Sequence, residues 1–160
     1  MGSADMSSPF LSRAIALARQ NVATSSGGPF GAVVVRAGEI LAEGVNQVAA
    51  ANDPTAHAEI VAIRAACHKL GAFDLKGCEI YTSCEPCPMC LAAIYWARAA
   101  RIIYAAGRSD AAAAGFDDEF LYQELQAPLN LRRIPLLQAD RDQALAVFEA
   151  WREDHAKIPY

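Results

Sequence analysis

The 160-residue sequence contains no apolar run long enough to cross a bilayer, because Arg98 and Arg101 interrupt the best candidate, "LAAIYWARAARIIYAAG". Its first residues lack the basic and then apolar pattern of a secretion signal, so we expect no export. Basic residues are few as well: 14 lysines and arginines against 18 acidic residues give a net charge of -4. This balance argues against a protein that binds long nucleic acids, but not against small neutral ligands.

The sequence also lacks the even cysteine count of a disulfide framework. With five cysteines and no export signal, a reduced, cytoplasmic location is expected. There is no internal repeat, linker or low-complexity tract, and the length suits one domain with a hydrophobic core. We therefore assign residues 8–160 to a single domain and interpret residues 1–7 as a tag remnant and disordered N-terminus.

The order of the predicted elements indicates an α/β layer sandwich. Apolar residues at helical spacing predict a helix over residues 9–23 capped by Ser8, and a strand hairpin that turns at Ala37 and Gly38 follows. Further along lie a helix with Asp53 as cap and Pro54 in its first position, a strand at "CEIYTSC", a helix at "PCPMCLAAIYWARA", a strand at "ARIIYAA", a last strand at "RRIPLLQ" and a helix over residues 139–155.

The stretch "EPCPMC" contains the first candidate ligands. Cys87 and Cys90 are spaced to share one face at the start of a helix and to hold one metal ion. The helix N-terminus favours their thiolate forms, and Pro86 and Pro88 stiffen the chain there. By itself, C-x-x-C fits a metal site about as well as a redox pair or two buried cysteines. Cys84 extends the motif toward an iron–sulfur cluster, but no fourth cysteine follows at the usual spacing.

A second group of candidates lies in "HAE" at positions 57–59, on the first turn of the helix predicted after Asp53. Residues two apart diverge around a helix axis, but Cα–Cβ bonds tilt toward the helix start, so first-turn side chains can lean over the helix end. If two helix N-termini meet, His57, Cys87 and Cys90 can hold one ion with Glu59 beside it. Three protein ligands leave zinc's fourth position open, and Glu59 would then act as general base and acid. A non-catalytic zinc module would use the same ligands but gives no reason for Glu59.

Together, "HAE" and "PCPMC" resemble the H-x-E…P-C-x-x-C signature of zinc-dependent nucleobase deaminases. The likeness covers nearly the whole chain from Ser8, and "GGPFGAVVV", "NDPTAHAE" and "AAGFDDEF" are most similar to small bacterial guanine deaminases of the cytidine deaminase superfamily. The resemblance implies a three-layer α/β/α sandwich around a mixed five-stranded sheet, one zinc ion per chain, and hydrolysis of free guanine to xanthine and ammonia. The alternatives are a tRNA adenosine deaminase, which shares "DPTAHAEI" and a similar cysteine motif, and then a cytosine deaminase.

The resemblance also implies which residues contact the base. Asn46 would hydrogen-bond the purine edge, Phe30 would lie against the base face, and the backbone N–H of Ala58 would contact the base as well. Asp118, the second aspartate of "GFDD", would accept from the N–H groups of guanine. Without the resemblance, Asn46 would be interpreted as a turn residue, Phe30 as a core aromatic and Asp118 as part of a solvated acidic patch.

The chain ends in "KIPY", and a terminal tyrosine in a monomer would be frayed. The resemblance implies a homodimer with exchanged C-terminal tails. Residues 156–160 of each subunit would close the pocket of the other subunit, where Tyr160 would help to bind the base.

Overall fold

The structure, a computed structural model, describes residues 8–160. Residues 1–7, predicted to be a tag remnant and disordered, lie outside the described residues. The chain forms two compact units, the first ending at Glu119 and the second running from Phe120 to Tyr160.

The first unit is built around one mixed sheet. Strand β1 (Gly31–Arg36) pairs antiparallel with both β2 (Glu39–Val45) and β3 (Cys78–Cys84), whereas β4 (Arg101–Ala106) runs parallel to β3. The order across the sheet is therefore β2-β1-β3-β4. The helices are α1 (Pro9–Ala23), α2 (Val48–Ala51), α3 (Ala58–Leu70), α4 (Pro88–Trp96), α5 (Arg108–Ala113) and α6 (Glu119–Gln126), which leads into the second unit.

The predicted first helix and hairpin are confirmed. Helix α1 begins after Ser8, whose side-chain oxygen accepts a hydrogen bond from Phe10 N at 3.3 Å. Strands β1 and β2 are joined by a turn at Ala37 and Gly38, both of which have positive φ. These elements form as predicted because their signals are local in the sequence.

Side chains of β1 alternate between the two faces of the sheet, as the two-residue period of a strand requires. On one face, Ala32 and Val34 belong to a core cluster with α3 and α4. On the opposite face, Val33 and Val35 pack with Leu17 of α1. The sheet thus lies between helices on both faces, which confirms the α/β layer fold.

The fifth strand expected at "RRIPLLQ" is not confirmed, and the sheet has four strands within residues 8–160. Residues 132–140 follow a 3-10 helix at Leu129–Leu131 without forming a strand. Pro135 has no N–H to give to a strand ladder. Ile134, Leu136 and Leu137 are all exposed, so this segment shows no alternation between a buried and an exposed face.

Helix α3 begins later than predicted. The expectation that Asp53 caps it and Pro54 opens it is wrong, because the Asp53 carboxylate accepts hydrogen bonds from Thr55 N at 2.8 Å and Thr55 Oγ1 at 2.7 Å. This local turn competes with helix capping. The helix starts at Ala58, and His57 is its N-cap residue with extended backbone.

Helix α3 lies unusually close to β2. A Cβ on Gly44 would stand 2.2 Å from Ala58 O and 2.6 Å from Ala62 N, so only glycine permits this approach. The contact places the start of α3 beside the end of β2, which Asn46 directly follows. Gly44 therefore helps to position two of the predicted site segments.

The second unit contains the rest of α6, the 3-10 helix and α7 (Arg141–Glu153), which corresponds to the helix predicted over residues 139–155. Val147, Phe148 and Trp151 of α7 border a groove of about 380 Å³ with Pro159 and Tyr160. Among residues 8–160, no helix combines the length and the apolar character that a membrane crossing requires.

Candidate metal centre

Three predicted ligands converge where the N-termini of α3 and α4 meet. His57 Nδ1 lies 3.5 Å from the Sγ atoms of both Cys87 and Cys90, and the three donor atoms all lie within 4.8 Å of one another. Tetrahedral zinc, with Zn–S near 2.3 Å and Zn–N near 2.0 Å, separates a sulfur and a nitrogen ligand by roughly 3.5 Å. The donor set therefore fits zinc in both chemistry and spacing.

The convergence depends on where the two helices begin. Cys87 is the N-cap residue of α4, as His57 is of α3, and both have extended backbones. Pro88 occupies the first helical position, where its missing N–H costs nothing. The side chain of an N-cap residue lies in front of the helix end. His57 and Glu59 therefore do not point in different directions around the helix axis, as two residues within the first turn would. The positive ends of both helices then favour thiolate ligands.

The two cysteines differ in charge state. A hydrogen bond from Cys90 lowers the pKa of the Cys87 thiol to about 4, and His57 adds to this effect. The same hydrogen bond, together with burial, raises the pKa of Cys90. The hydrogen bond with Cys87 also raises the pKa of His57. Cys87 is thus a thiolate near neutral pH, and a metal ion that binds both sulfurs would release the remaining proton.

Glu59 interacts with His57, Cys87 and Cys90 but does not belong to the cluster of three donors. It is the second residue of α3 and is only 7% exposed. Burial is the main cause that raises the pKa of its carboxyl group, which also hydrogen-bonds Cys90. A buried carboxyl group with a raised pKa beside a metal centre is suited to take up and return a proton.

Asn46 and Phe30 lie next to each other at the same end of the sheet, where β2 finishes and β1 begins. Asn46 N donates to Phe30 O at 3.2 Å. Gly31 N donates to Ser83 Oγ at 3.0 Å, which places Phe30 level with the end of β3, just before the cysteine motif. The structure therefore brings both residues to the end of the sheet that carries Cys87.

Phe116 is a neighbour that the sequence did not single out. Its ring packs edge-on against Phe30, with ring centroids 4.9 Å apart and an interplanar angle of 85°. It directly precedes Asp117 and Asp118, and that adjacency was the signal that could have identified it. The contact ties the "GFDD" segment to the start of β1.

Asp118 is half-buried and lies close enough to Cys87 to feel its charge. Burial is the main cause that raises its pKa, and the negative charge of Cys87 raises it further. Ala58 is fully buried as the first residue of α3, and the first N–H groups of a helix have no acceptor within the helix. Tyr160 belongs to the second unit, where it is 74% exposed and borders the groove on α7.

Cys84 is not part of the donor cluster. Its Sγ donates to Gly107 O at 3.8 Å, and burial raises the pKa of its thiol to about 11. A thiol that stays protonated near neutral pH is a poor cluster ligand. The geometry therefore gives no support to an iron–sulfur cluster that includes Cys84.

Residues 5–106 match a family model described as the cytidine and deoxycytidylate deaminase zinc-binding region. The chain is 55% identical over 151 residues to guanine deaminase of Bacillus subtilis (strain 168), covering 94% of this chain and 97% of that protein. An X-ray structure of guanine deaminase from Bacillus subtilis matches with a TM-score of 0.92 at 55% identity, covering 94% and 96% of the two chains. A tRNA-specific adenosine deaminase of Aquifex aeolicus (strain VF5) is 45% identical over 78 residues, covering 49% of this chain and 52% of that protein.

We expect metal analysis of the purified protein to find about one zinc ion per chain. Cys87→Ala and Cys90→Ala should each lose it, because two remaining ligands bind zinc far more weakly than three. Cys67→Ala, which removes a thiol outside the donor cluster, is the matched control and should keep its zinc. Iron accompanied by acid-labile sulfide, or full zinc content in both ligand variants, would contradict the assignment.

Proposed function

Because the chain belongs to the cytidine and deoxycytidylate deaminase zinc-binding family, we propose that it is a zinc-dependent guanine deaminase. It hydrolyses the free base guanine to xanthine and ammonia. The observation that carries this proposal is the cluster of His57, Cys87 and Cys90 with the buried carboxyl group of Glu59 beside it. The choice of guanine is supported by likeness to a guanine deaminase over nearly the full length of both chains.

The tRNA adenosine deaminase alternative has weaker support. Its match to Aquifex aeolicus spans about half of each chain. The net charge of -4 does not favour binding to the phosphates of an RNA stem-loop, and α7 mixes acidic and basic residues. A free base carries no phosphate and needs no such surface.

Zinc held by His57, Cys87 and Cys90 would lower the pKa of a bound water molecule toward neutrality. Glu59 would take one proton from the attacking water as the C–O bond forms at C2 of guanine, and would pass it to the neighbouring ring nitrogen. It would then carry the second proton, from the hydroxyl group now on C2, to the amine, which leaves as ammonia when the C–N bond breaks and C2 becomes a carbonyl carbon. The burial that raises the pKa of Glu59 suits a group that must act as both base and acid.

The residues around the centre are proposed to bind the base. The Asp118 carboxylate accepts from the N–H groups of guanine, Asn46 hydrogen-bonds the purine edge, and the Ala58 N–H contacts the base as well. Phe30 lies against the base face, and its packing on Phe116 supports this role by fixing the ring.

We also propose a homodimer in which residues 156–160 of each chain close the pocket of the other subunit. The second unit exposes large apolar side chains, with Leu131 70%, Ile134 78% and Leu137 92% exposed, and such surfaces mark interaction sites. Tyr160 combines an aromatic body with a polar tip, so it can cover the base and hydrogen-bond to it. A closed, dry pocket strengthens the polar interactions within it.

The proposed reaction removes an amino group from a purine, so we assign the protein a role in purine catabolism. We propose the cytoplasm as its location, because none of the five cysteines forms a disulfide, which suits a reducing compartment.

Glu59→Gln should keep zinc and fold but lower the turnover of guanine by at least about 10²–10⁴-fold, because the amide cannot carry the proton. Glu39→Gln, which makes the same change on an exposed strand residue, is the control and should leave turnover unchanged. Ammonia release and zinc content are measured on the same samples. Turnover near the wild-type rate in Glu59→Gln would rule out this mechanism.

Ammonia release from a panel of substrates should be fastest with guanine, and far slower with cytosine, cytidine or tRNA. Asp118→Ala should lower guanine turnover by roughly 10- to 100-fold, because an N–H of the buried base would lose its acceptor. Asp117→Ala is the matched control, since the Asp117 carboxylate accepts from Glu119 N at the start of α6. If tRNA were the best substrate, with rates that fall steeply with salt, the protein would be the adenosine deaminase instead.

Deleting residues 156–160 should leave zinc content intact and lower guanine turnover sharply, because the pocket would stay open. Co-refolding this chain with an equal amount of Glu59→Gln chain should restore activity to about a quarter of wild type, since half of the random dimers gain one complete pocket. Sedimentation should report a dimer. A monomer, or full activity after the deletion, would exclude the exchanged tails and the role of Tyr160.

A further inference from the structure

Asn21 of α1 is a buried polar residue that no step of the proposed mechanism uses. It is 4% exposed, and its Nδ2 donates to Gly28 O at 2.8 Å and to Asn46 O at 3.0 Å. Burying an amide is costly unless it is hydrogen-bonded, so these bonds account for its presence in the core. Because carbonyl oxygens only accept, the orientation of the Asn21 amide is fixed by its partners.

The connection continues to the side chain of Asn46. Its Oδ1 accepts from Gly28 N at 3.4 Å and from Val48 N at 3.3 Å. Backbone N–H groups only donate, so the oxygen of Asn46 must face them and its Nδ2 must face away. Asn46 is therefore held as a hydrogen-bond donor.

The segment before β1 fits tightly against this pair. A Cβ on Gly27 would stand 2.4 Å from Asn46 O and 2.9 Å from Asn21 Nδ2, so a larger residue would push the two segments apart. Gly28 O also accepts from Phe30 N at 2.9 Å. The same carbonyl thus links Asn21 to the backbone of the proposed base-stacking residue.

We propose that Asn21 is a positioning residue for substrate binding, a role that rests on the proposed deaminase function. By donating to one carbonyl on each segment, it holds Gly28 N against Asn46 Oδ1 and so fixes Asn46 as a donor. A fixed donor favours a carbonyl oxygen or an unprotonated ring nitrogen on the purine edge. Asn21 thus acts from α1 through the orientation of Asn46 and not by contact with the base.

A double-mutant cycle tests this role, because two residues that act through one interaction do not have additive effects. Asn21→Leu is measured in the wild-type and Asn46→Ala backgrounds, with zinc content and thermal unfolding followed in each. Thr24→Val is the matched control, since its hydroxyl group bonds the backbone carbonyls of Gln20 and Asn21 and the hydroxyl group of Ser26, but neither the Asn21 side chain nor Asn46. Gly27→Ala disturbs the same contact from the other side and replaces Asn21→Leu if that variant does not fold.

We expect Asn21→Leu to lower kcat/KM by about tenfold or more, mainly through a higher KM, with zinc retained. In the Asn46→Ala background the further loss should stay below about twofold, and Thr24→Val should change little. Where turnover is too slow, the dissociation constant of guanine in Glu59→Gln chains provides the same cycle. An equal loss in both backgrounds, or an unchanged KM in Asn21→Leu, would overturn the inference.

Failure of the proposed function has a different signature. A wild-type protein that does not deaminate guanine would contradict that function, and the cycle would then use the base that it deaminates fastest. Non-additivity with that base still supports the positioning role, whereas additivity refutes it.

Discussion

The site depends on one geometric condition, the meeting of two helix N-termini with a ligand at each N-cap. His57 and Cys87 hold these positions, and their donor atoms lie 3.5 Å apart, as tetrahedral zinc requires. Gly44 helps to fix the position of α3 by allowing it to contact β2. Pro88 helps to fix the start of α4 because it is the first residue of that helix. A shift of one residue in either helix start would turn a ligand away from the other two.

The same condition concentrates negative charge. The Cys87 thiolate raises the pKa of both Glu59 and Asp118, after the larger effect of burial. The positive ends of two helices offset part of this repulsion, and a divalent cation would offset more. The carboxyl groups that the proposed mechanism uses are therefore electrostatically coupled to the metal ligands, although neither is a ligand itself.

Much of the metal centre and of the first helix could be predicted from the sequence, because it depends on residues that are close together in the chain. The C-x-x-C spacing, the His57 and Glu59 pair and the Ser8 cap each depend on residues a few positions apart. The start of α3 was missed because the Asp53 and Thr55 turn competes with the cap at the same residues. The expected fifth strand also had a local signal, but its apolar residues are exposed around Pro135.

Contacts between distant segments had no such signal. The contact between Asn21 and Asn46 joins residues 25 positions apart in the sequence. The contact between Phe30 and Phe116 joins residues that are separated by most of the sequence of the first unit. Neither hydrophobic periodicity nor a short motif in a single sequence indicates that two such distant residues are in contact. The supporting residues of the site were therefore less predictable than its ligands.

The spacing of the ligands along the chain also bears on how the protein folds. Cys87 and Cys90 are neighbours that can capture a cation in an unfolded chain, whereas His57 lies 30 positions before Cys87. Closing a loop of that length costs about 3 kcal/mol of chain entropy, and a bound ion can offset this cost. The bound ion would then link the β1–β2 hairpin and α3 to the β3–α4–β4 crossover. We therefore expect the metal-free protein to refold more slowly than the protein loaded with metal.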